Sequence, residues 1–380
     1  MTGLPRVTDT GGTPMPGRRR SSDLAPESIT VLEARDVRIQ IPTPEGIVTP
    51  VDGVSLDLRA GEVLGVVGET GSGKTVSCRS LLGLLPTTRA TREGSVTYPE
   101  ISDVNILGLG RKQLRRYWGN YVSMVPQNPM TSLNPVHRIG DQIDEAVGAH
   151  STMSREQRRA RTIELMTRVG IPVPERRVRD YPHQFSGGML QRTLIAIALA
   201  GEPRILIADE PTTALDTIIQ DQILDLLISL QRGTGMSLIL VSHDLSVISQ
   251  ICDRVAVMYA GQVVELAETE NVIRRPQHPY TAALLKSLPG AVPPDEPLTT
   301  IGGSPPKLVD LPASCRFMPR CDHAEKACGD WVTSLLPTRV GESESEVRCR
   351  RRGEIDLRLP SAPERSDAAA RSGVVPERSR

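Results

Sequence analysis

The stretch Val66–Thr75, VVGETGSGKT, decides the fold of this chain. Its apolar start predicts a buried strand, and the pattern Gly68-x-x-x-x-Gly73-Lys74-Thr75 predicts a glycine-rich loop that leads into a helix. The N–H groups of such a loop cradle phosphates, Lys74 can reach the β- and γ-phosphates, and the hydroxyl of Thr75 can ligate Mg²⁺. We therefore expect a nucleoside triphosphate site. Its predicted residues are Gly68, Glu69, Thr70, Gly71, Ser72, Gly73, Lys74 and Thr75.

The composition limits the classes of protein to which the chain can belong. Its 380 residues, 38% of them hydrophobic, suffice for one large domain with appendages or for two domains. Forty-five basic and 45 acidic residues cancel, so no net field attracts nucleic acid or an acidic membrane. No run approaches the roughly 18 apolar residues of a membrane span, and no signal peptide precedes the strands. We expect the chain to stay in the cytosol.

The pattern along the chain divides it into segments. Residues 1–29 and 351–380 are rich in polar residues and proline without periodicity, which predicts disordered tails. Residues 29–67 alternate in short runs, which predicts antiparallel strands before the phosphate loop. Residues 138–170 show helical spacing with heavy charge, which predicts a helical insertion.

Two further apolar runs end in polar side chains. Ile205–Asp209 is followed by Glu210, and the run that starts at Ser237 ends at His243. Strands that alternate with helices predict a mostly parallel sheet, in which ligands bind at the carboxyl ends of the strands. Lys74 and these three polar residues are all expected at that edge.

Each of these residues can be given a chemical role. Asp209 can hold Mg²⁺ through water, Glu210 can act as the general base, and Gln127 can orient water or Mg²⁺. His243 can contact the γ-phosphate. The plainer alternatives are carboxylates that cap a strand, a solvated loop glutamine and a structural histidine. Their place beside the phosphate loop favours the functional interpretation.

A second anion site is predicted at Ser186-Gly187-Gly188, which opens the helix LQRTLIAIALA. The N–H groups and the dipole of a helix N-terminus attract anions. The alternative is an ordinary N-cap.

Together these motifs resemble the ATP-binding subunits of ABC transporters over about residues 30–290. The resemblance implies an α/β P-loop NTPase with a mostly parallel sheet core, an antiparallel β subdomain and a helical subdomain at about 128–190. It implies a head-to-tail dimer in which the signature residues contact the ATP of the opposite subunit. Asp216 would lie at that interface. The signature residues are Ser186, Gly187, Gly188 and Met189.

The base-binding position departs from this family. ABC subunits usually stack adenine on an aromatic residue upstream of the phosphate loop, and that position aligns near Ile41. An aliphatic residue there leads us to expect weaker base selection, since stacking contributes about 1–3 kcal/mol in nucleic-acid binders.

The resemblance narrows to the ATPases of dipeptide, oligopeptide and nickel permeases. It rests on QNPMTSLNP from Gln127, YPHQFSGGMLQR from Tyr181, ADEPTTALD from Ala208 and a C-terminal extension at 291–350. It implies ATP hydrolysis that powers peptide import, with nickel or another small solute as the alternative cargo. The implied partners are a sister ATPase in a heterodimer, two membrane-spanning permease subunits and, indirectly, an extracellular solute-binding protein. The expected location is the cytoplasmic side of the cell membrane, as a peripheral subunit.

Four cysteines in the extension predict a metal site. Cys315, Cys321, Cys328 and Cys349 are separated by five, six and twenty residues. Clustered cysteines in a cytosolic protein favour metal over disulfides, and spacing alone favours zinc, although a C-x₂-C pair is absent. Because some members of the resembled family carry a [4Fe–4S] cluster on this motif, we rank iron–sulfur first, zinc second and free thiols third.

Soluble ABC ATPases of nucleic-acid metabolism are the alternative from another class. They commonly show two cassettes, long coiled-coil inserts or a basic surface, and this chain has one cassette, no heptad run and no net charge. We therefore expect no nucleic-acid partner. A redox or docking role for the cysteines also stays open, as does export rather than import.

Overall fold

The computed structural model describes residues 29–357 apart from 86, 88, 214, 289–299, 341 and 342. Residues 1–28 and 358–380 of the predicted tails lie outside the described residues. Residues 351–357, which the sequence also assigns to a tail, form turns, and Leu357 is buried.

The strands and helices follow in chain order. The strands are β1 (Thr30–Thr43), β2 (Gly46–Arg59), β3 (Val63–Val67), β4 (Thr91–Thr97), β5 (Val122–Val125), β6 (Ile205–Asp209), β7 (Ser237–Val241), β8 (Arg254–Tyr259), β9 (Gln262–Glu268), β10 (Leu336–Val340) and β11 (Ser343–Val347). The helices are α1 (Lys74–Ser80), α2 (Arg111–Leu114), α3 (Pro129–Ser132), α4 (Ile139–His150), α5 (Arg155–Arg168), α6 (Pro174–Arg177), α7 (Gly187–Ala198), α8 (Thr217–Thr234), α9 (Leu245–Ile251), α10 (Thr269–Arg274), α11 (Pro279–Lys286) and α12 (Lys326–Asp330).

The main sheet has the strand order β10-β11-β9-β8-β3-β7-β6-β5. Strands β8, β3, β7, β6 and β5 are parallel, and every residue of β3, β6 and β7 is buried. Continuous apolar strands are typical of a parallel sheet covered on both faces. Because β3, β6 and β7 run in the same direction, their carboxyl ends lie at one edge, where the phosphate loop begins. This confirms the predicted parallel core.

A second sheet, of order β2-β1-β4, is antiparallel. Its inward residues, among them Val37, Ile39 and Val51, are buried, and the alternation of its strands follows from one covered face. The predicted antiparallel subdomain is therefore confirmed.

The chain between β5 and β6 is helical, from α3 to α7. Helices α4 and α5 pack on each other and on α7, through buried side chains such as Ile143, Leu165 and Met166. Helix α5 begins with a capping box in which Ser154 and Gln157 bond each other's backbone N–H. The charge that the sequence shows here lies on the outer faces of these helices.

The C-terminal extension joins the ATPase core through backbone pairing. Strand β11 pairs with β9, so the β10–β11 hairpin continues the main sheet. Val309 forms an antiparallel bridge with Val48 of β2, and the N–H of Thr49 donates to the carbonyl of Leu308 at 2.7 Å. The extension is thereby fixed beside the phosphate loop.

Candidate nucleotide site and cysteine cavity

The phosphate loop connects β3 to α1. Gly73 has φ +99°, and a Cβ there would lie 2.0 Å from the carbonyl oxygen of Pro50, so only glycine fits. Gly71 has φ +81°, and a Cβ there would meet nothing within 4 Å among the described residues. The loop therefore presents its backbone to open space on one side, as a phosphate cradle requires.

Lys74 is folded back onto the loop. Its Nζ donates to the carbonyl oxygens of Gly68 at 2.9 Å and Glu69 at 3.1 Å, and its side chain is only 4% exposed. Burial lowers the pKa of Lys74, and the nearby Glu210 carboxylate opposes that shift. A buried ammonium group held by carbonyls can transfer its hydrogen bonds to an anionic ligand.

Thr75 and Asp209 form the polar pair beside the lysine. The Oγ1 of Thr75 donates to Oδ1 of Asp209 at 3.0 Å. Asp209 is fully buried, which raises its pKa, and its Oδ2 has no hydrogen-bond partner among the described residues. A buried carboxylate oxygen without a partner, next to a hydroxyl, is a donor set that suits Mg²⁺. The residues present therefore fit the ion that the sequence predicts.

Glu210 lies at the centre of the site. Its backbone has φ +46°, a left-handed conformation that is strained for a non-glycine residue. Its Oε2 accepts hydrogen bonds from Nε2 of Gln127 at 2.8 Å and Oγ1 of Thr213 at 2.9 Å. The Nδ1 of His243 lies 3.7 Å from the same oxygen, and Nζ of Lys74 lies 3.7 Å from Oε1. The structure thus brings together the four polar residues that the sequence places at one edge of the sheet, which are Lys74, Asp209, Glu210 and His243.

A cavity of about 480 Å³ opens above these groups. Its volume lies in the range of small-molecule sites, about 300–1,000 Å³. Ile41 does not line this cavity; it pairs with Val48 between β1 and β2. The apolar lining comes instead from Val76, Pro50 and, from the extension, Leu308. The lining residues are Pro50, Thr70, Gly71, Gly73, Lys74, Thr75, Val76, Gln127, Glu210, Thr213, His243 and Leu308.

The signature turn lies at the start of α7, outside that lining. The Oγ of Ser186 accepts from the N–H of Met189 at 3.4 Å, so Ser186 caps the helix. Ser186 and Gly187 are exposed, and a Cβ on Gly188 would lie 2.7 Å from the side chain of Ile219. Asp216 directly precedes α8. The turn is therefore free to meet a ligand held by another molecule.

The four cysteines of the extension line one small cavity together with His278, Phe317 and Trp331. Burial raises the pKa of Cys315 and Cys321, and raises that of Cys349 to about 11. The volume is about 20 Å³, room for one water-sized group. No group of three or more His, Cys, Asp or Glu in the described part of the chain is arranged to hold a metal. Four thiols suit an iron–sulfur cluster, but the cavity as it stands does not fit one.

Sequence reasoning missed several residues of the site. Thr213 stands within the quoted stretch ADEPTTALD, and its place three residues after Glu210 was a usable signal. Leu308 and Arg320 belong to the extension, in which the sequence singled out only the four cysteines. Arg320 binds the side chain of Glu69 in the phosphate loop.

Among the described residues, no helix is both long and apolar enough to cross a membrane.

The chain is similar in sequence and in fold to known ATP-binding proteins of one class. The ABC transporter family profile matches residues 51–213. A dimeric structure of the ATP-binding cassette MJ0796, in a post-hydrolysis state bound to ADP and Pi, superposes with a TM-score of 0.55 at 28% identity, covering 63% of this chain and 98% of that one. The fold and the site therefore define an ABC transporter ATP-binding protein.

The branch of the family follows from the extension and the closer relatives. The profile of the oligopeptide/dipeptide transporter C-terminal region matches residues 264–328. The dipeptide transport ATP-binding protein DppD of Bacillus subtilis is 45% identical over 78% of this chain and 88% of its own length. The oligopeptide transport ATP-binding protein OppD of Salmonella typhimurium is 43% identical over 80% and 90%. The chain belongs to this oligopeptide/dipeptide branch of the ABC transporter family.

Proposed function

We propose that the chain is the ATP-hydrolysing subunit of an ABC transporter that imports peptides. The observation that carries the proposal is the buried Oδ2 of Asp209, which has no partner within the described part of the chain and lies next to the hydroxyl of Thr75 and the carboxylate of Glu210. Such an arrangement suits Mg²⁺–ATP. The relatives whose printed names are those of dipeptide and oligopeptide transport proteins support the peptide cargo.

Hydrolysis then follows from the groups around the cavity. Lys74 moves its hydrogen bonds from the loop carbonyls to the phosphates, and Glu210 accepts the proton of the attacking water. Gln127 and Thr213 orient that carboxylate by donating hydrogen bonds to its Oε2. The Nδ1 of His243 lies 3.7 Å from the same oxygen. Thr75, Asp209 and Gln127 would hold Mg²⁺, which would neutralise charge on the phosphates when bound.

The same proposal includes the partners and the location. The turn at Ser186–Met189, exposed at Ser186 and Gly187, suits a second cassette, and the dimeric cassette of MJ0796 supports this arrangement. We propose a sister ATPase in a heterodimer, with Asp216 at its interface. Two permease subunits carry the cargo, an extracellular solute-binding protein delivers it, and the chain lies on the cytoplasmic face of the cell membrane.

The test is transport by the assembled complex in vesicles that contain ATP. We expect uptake of a labelled dipeptide or oligopeptide, with ATP hydrolysis stimulated by peptide-loaded binding protein. The cargo proposal would be contradicted by an ATP hydrolysis rate that peptide-loaded binding protein does not raise. Uptake of nickel in place of peptide would contradict it as well. The Glu210→Gln complex is the negative control, and binding to nucleic acid in moderate salt would revive the excluded class.

A metal group on Cys315, Cys321, Cys328 and Cys349 is a separate proposal, supported by their place around one cavity. It takes no part in the ATP chemistry above. The loops around the cavity would have to move outward to admit an iron–sulfur cluster. Anaerobic purification with iron, sulfide and zinc analysis tests the ranking. Iron with sulfide is the expected result, and zinc alone would reverse the order.

A further inference from the structure

Arg320 reaches from the extension into the ATPase core. It ends a short 3₁₀ turn, Met318–Arg320, that precedes Cys321, and its side chain is only 5% exposed. Its Nη1 and Nη2 donate to the two carboxylate oxygens of Glu69 at 2.8 and 3.0 Å, and its Nε donates to the carbonyl of Gly302 at 2.7 Å. The guanidinium also lies over the ring of Tyr259, 5.7 Å from its centroid. This is the bidentate geometry that makes an arginine–carboxylate pair both strong and directional.

The backbone N–H and carbonyl of Glu69 both make hydrogen bonds, in addition to the contacts of its side chain. Its N–H donates to the hydroxyl oxygen of Tyr280 at 2.9 Å. Its carbonyl oxygen accepts from Nζ of Lys74 at 3.1 Å and from the N–H of Ser72 at 3.1 Å. A displacement of Glu69 would therefore displace the carbonyl that holds the phosphate-binding lysine.

We propose that Arg320 is a positioning residue for ATP binding, through which the C-terminal extension fixes the conformation of the phosphate loop. The proposal rests on the proposed function. Arg320 does not line the nucleotide cavity, so its effect passes through Glu69. Loss of one member of this largely buried pair leaves the other charge unpaired and frees the loop to shift.

The test measures KM for ATP and kcat of assembled complexes in which Arg320, Glu69 or both are substituted. We expect Arg320→Gln to raise KM about tenfold, with kcat changed less than about twofold. Glu69→Gln should act similarly, and the double variant should be no worse than either single variant because both break the same pair. Arg320→Lys keeps the positive charge but cannot make the bidentate hydrogen bonds of a guanidinium. Its KM for ATP should therefore lie between those of Arg320→Gln and the wild type.

Arg254→Gln is the matched control. Arg254 makes a bidentate pair with Asp57 at 3.0 and 3.1 Å and is 12% exposed, but it lies at the start of β8, at the opposite end of the sheet from the loop. We expect it to lower the thermal midpoint and leave KM unchanged. A KM of wild-type size in Arg320→Gln, additive effects in the double variant, or an equal KM rise in Arg254→Gln would overturn the proposal.

The same experiment separates this proposal from the function on which it rests. If the wild-type complex binds no ATP, the proposed function fails. If wild-type and Arg320→Gln complexes bind a fluorescent ATP analogue equally well, only the positioning role fails. Glu69→Gln provides the test from the loop side should Arg320→Gln not fold.

Discussion

The nucleotide cavity and the C-terminal extension differ in how completely their buried charged side chains are hydrogen-bonded. At the cavity, Asp209 keeps an oxygen without a partner among the described residues, and the Nζ of Lys74 donates to two loop carbonyls and lies 3.7 Å from Oε1 of Glu210. In the extension, three arginines with largely buried side chains each donate to several acceptors. Arg348 donates to the carbonyls of Gly53, Val263 and Thr333, Arg316 donates to Ala260, Pro312 and Asp52, and Arg320 donates to Glu69, Tyr259, Ile301 and Gly302.

This difference separates groups that await a ligand from groups that hold the structure. Leaving a buried polar atom unsatisfied costs about 1–3 kcal/mol, so a cation bound at Oδ2 of Asp209 would regain that free energy. A buried arginine that is satisfied fixes the segments it joins. We therefore interpret the extension as a support for the site and the loop edge of the sheet as the location of the proposed chemistry.

The largest expected effect comes from Glu210, the proposed general base. Glu210→Gln keeps the hydrogen bonds of Gln127 and Thr213 within reach but removes the proton acceptor. We expect ATP turnover of the assembled complex to fall by about a thousandfold. The exposed Glu270→Gln, which disturbs only an ion pair with Arg274 on the surface, should turn over normally. Turnover retained in Glu210→Gln would place the base elsewhere.

Lys74→Ala tests the loop itself. The variant loses a charge-assisted interaction with the phosphates, and we expect the affinity for ATP to fall about thirtyfold by equilibrium binding. Lys112→Ala, at an exposed lysine in α2, is the control and should bind as the wild type does. Unchanged nucleotide occupancy in Lys74→Ala would contradict the assignment of the cavity.

A smaller effect is expected at the wall that the extension contributes. Leu308→Ala removes apolar surface from the cavity, and we expect KM for ATP to rise about threefold. Ile41→Ala should leave KM unchanged, because Ile41 does not line the cavity. The reverse result would restore Ile41 as the base contact. Turnover of ATP and GTP in both variants also tests the expected weak base selection.

The catalytic edge was predictable from sequence because topology brings its parts together. Glu210 directly follows β6 and Gln127 follows the neighbouring parallel strand β5 by two residues, so side chains 83 residues apart meet at one edge. The chemistry of phosphate binding also demands a contiguous glycine loop, which a reader of the sequence can find. The strained backbone of Glu210 has no such signal.

The contribution of the extension was not predictable in this way. Arg320 and Glu69 are 251 residues apart, and no period or motif links them. Their contact depends on how the turn between Cys315 and Cys321 docks on the core. Leu308 reaches the cavity only because backbone pairing with Thr49 places it there. The cysteine spacing predicted a metal site; the four cysteines line one cavity, and a metal bound there stays a prediction.

The most direct measurement is the amount of ATP that the assembled Glu210→Gln complex retains through gel filtration in Mg²⁺. If the nucleotide site is formed by the groups around Asp209, whose Oδ2 has no partner among the described residues, each chain retains bound ATP, and the added Lys74→Ala substitution removes it. A complex that retains no ATP, or that retains it equally without Lys74, would contradict the account.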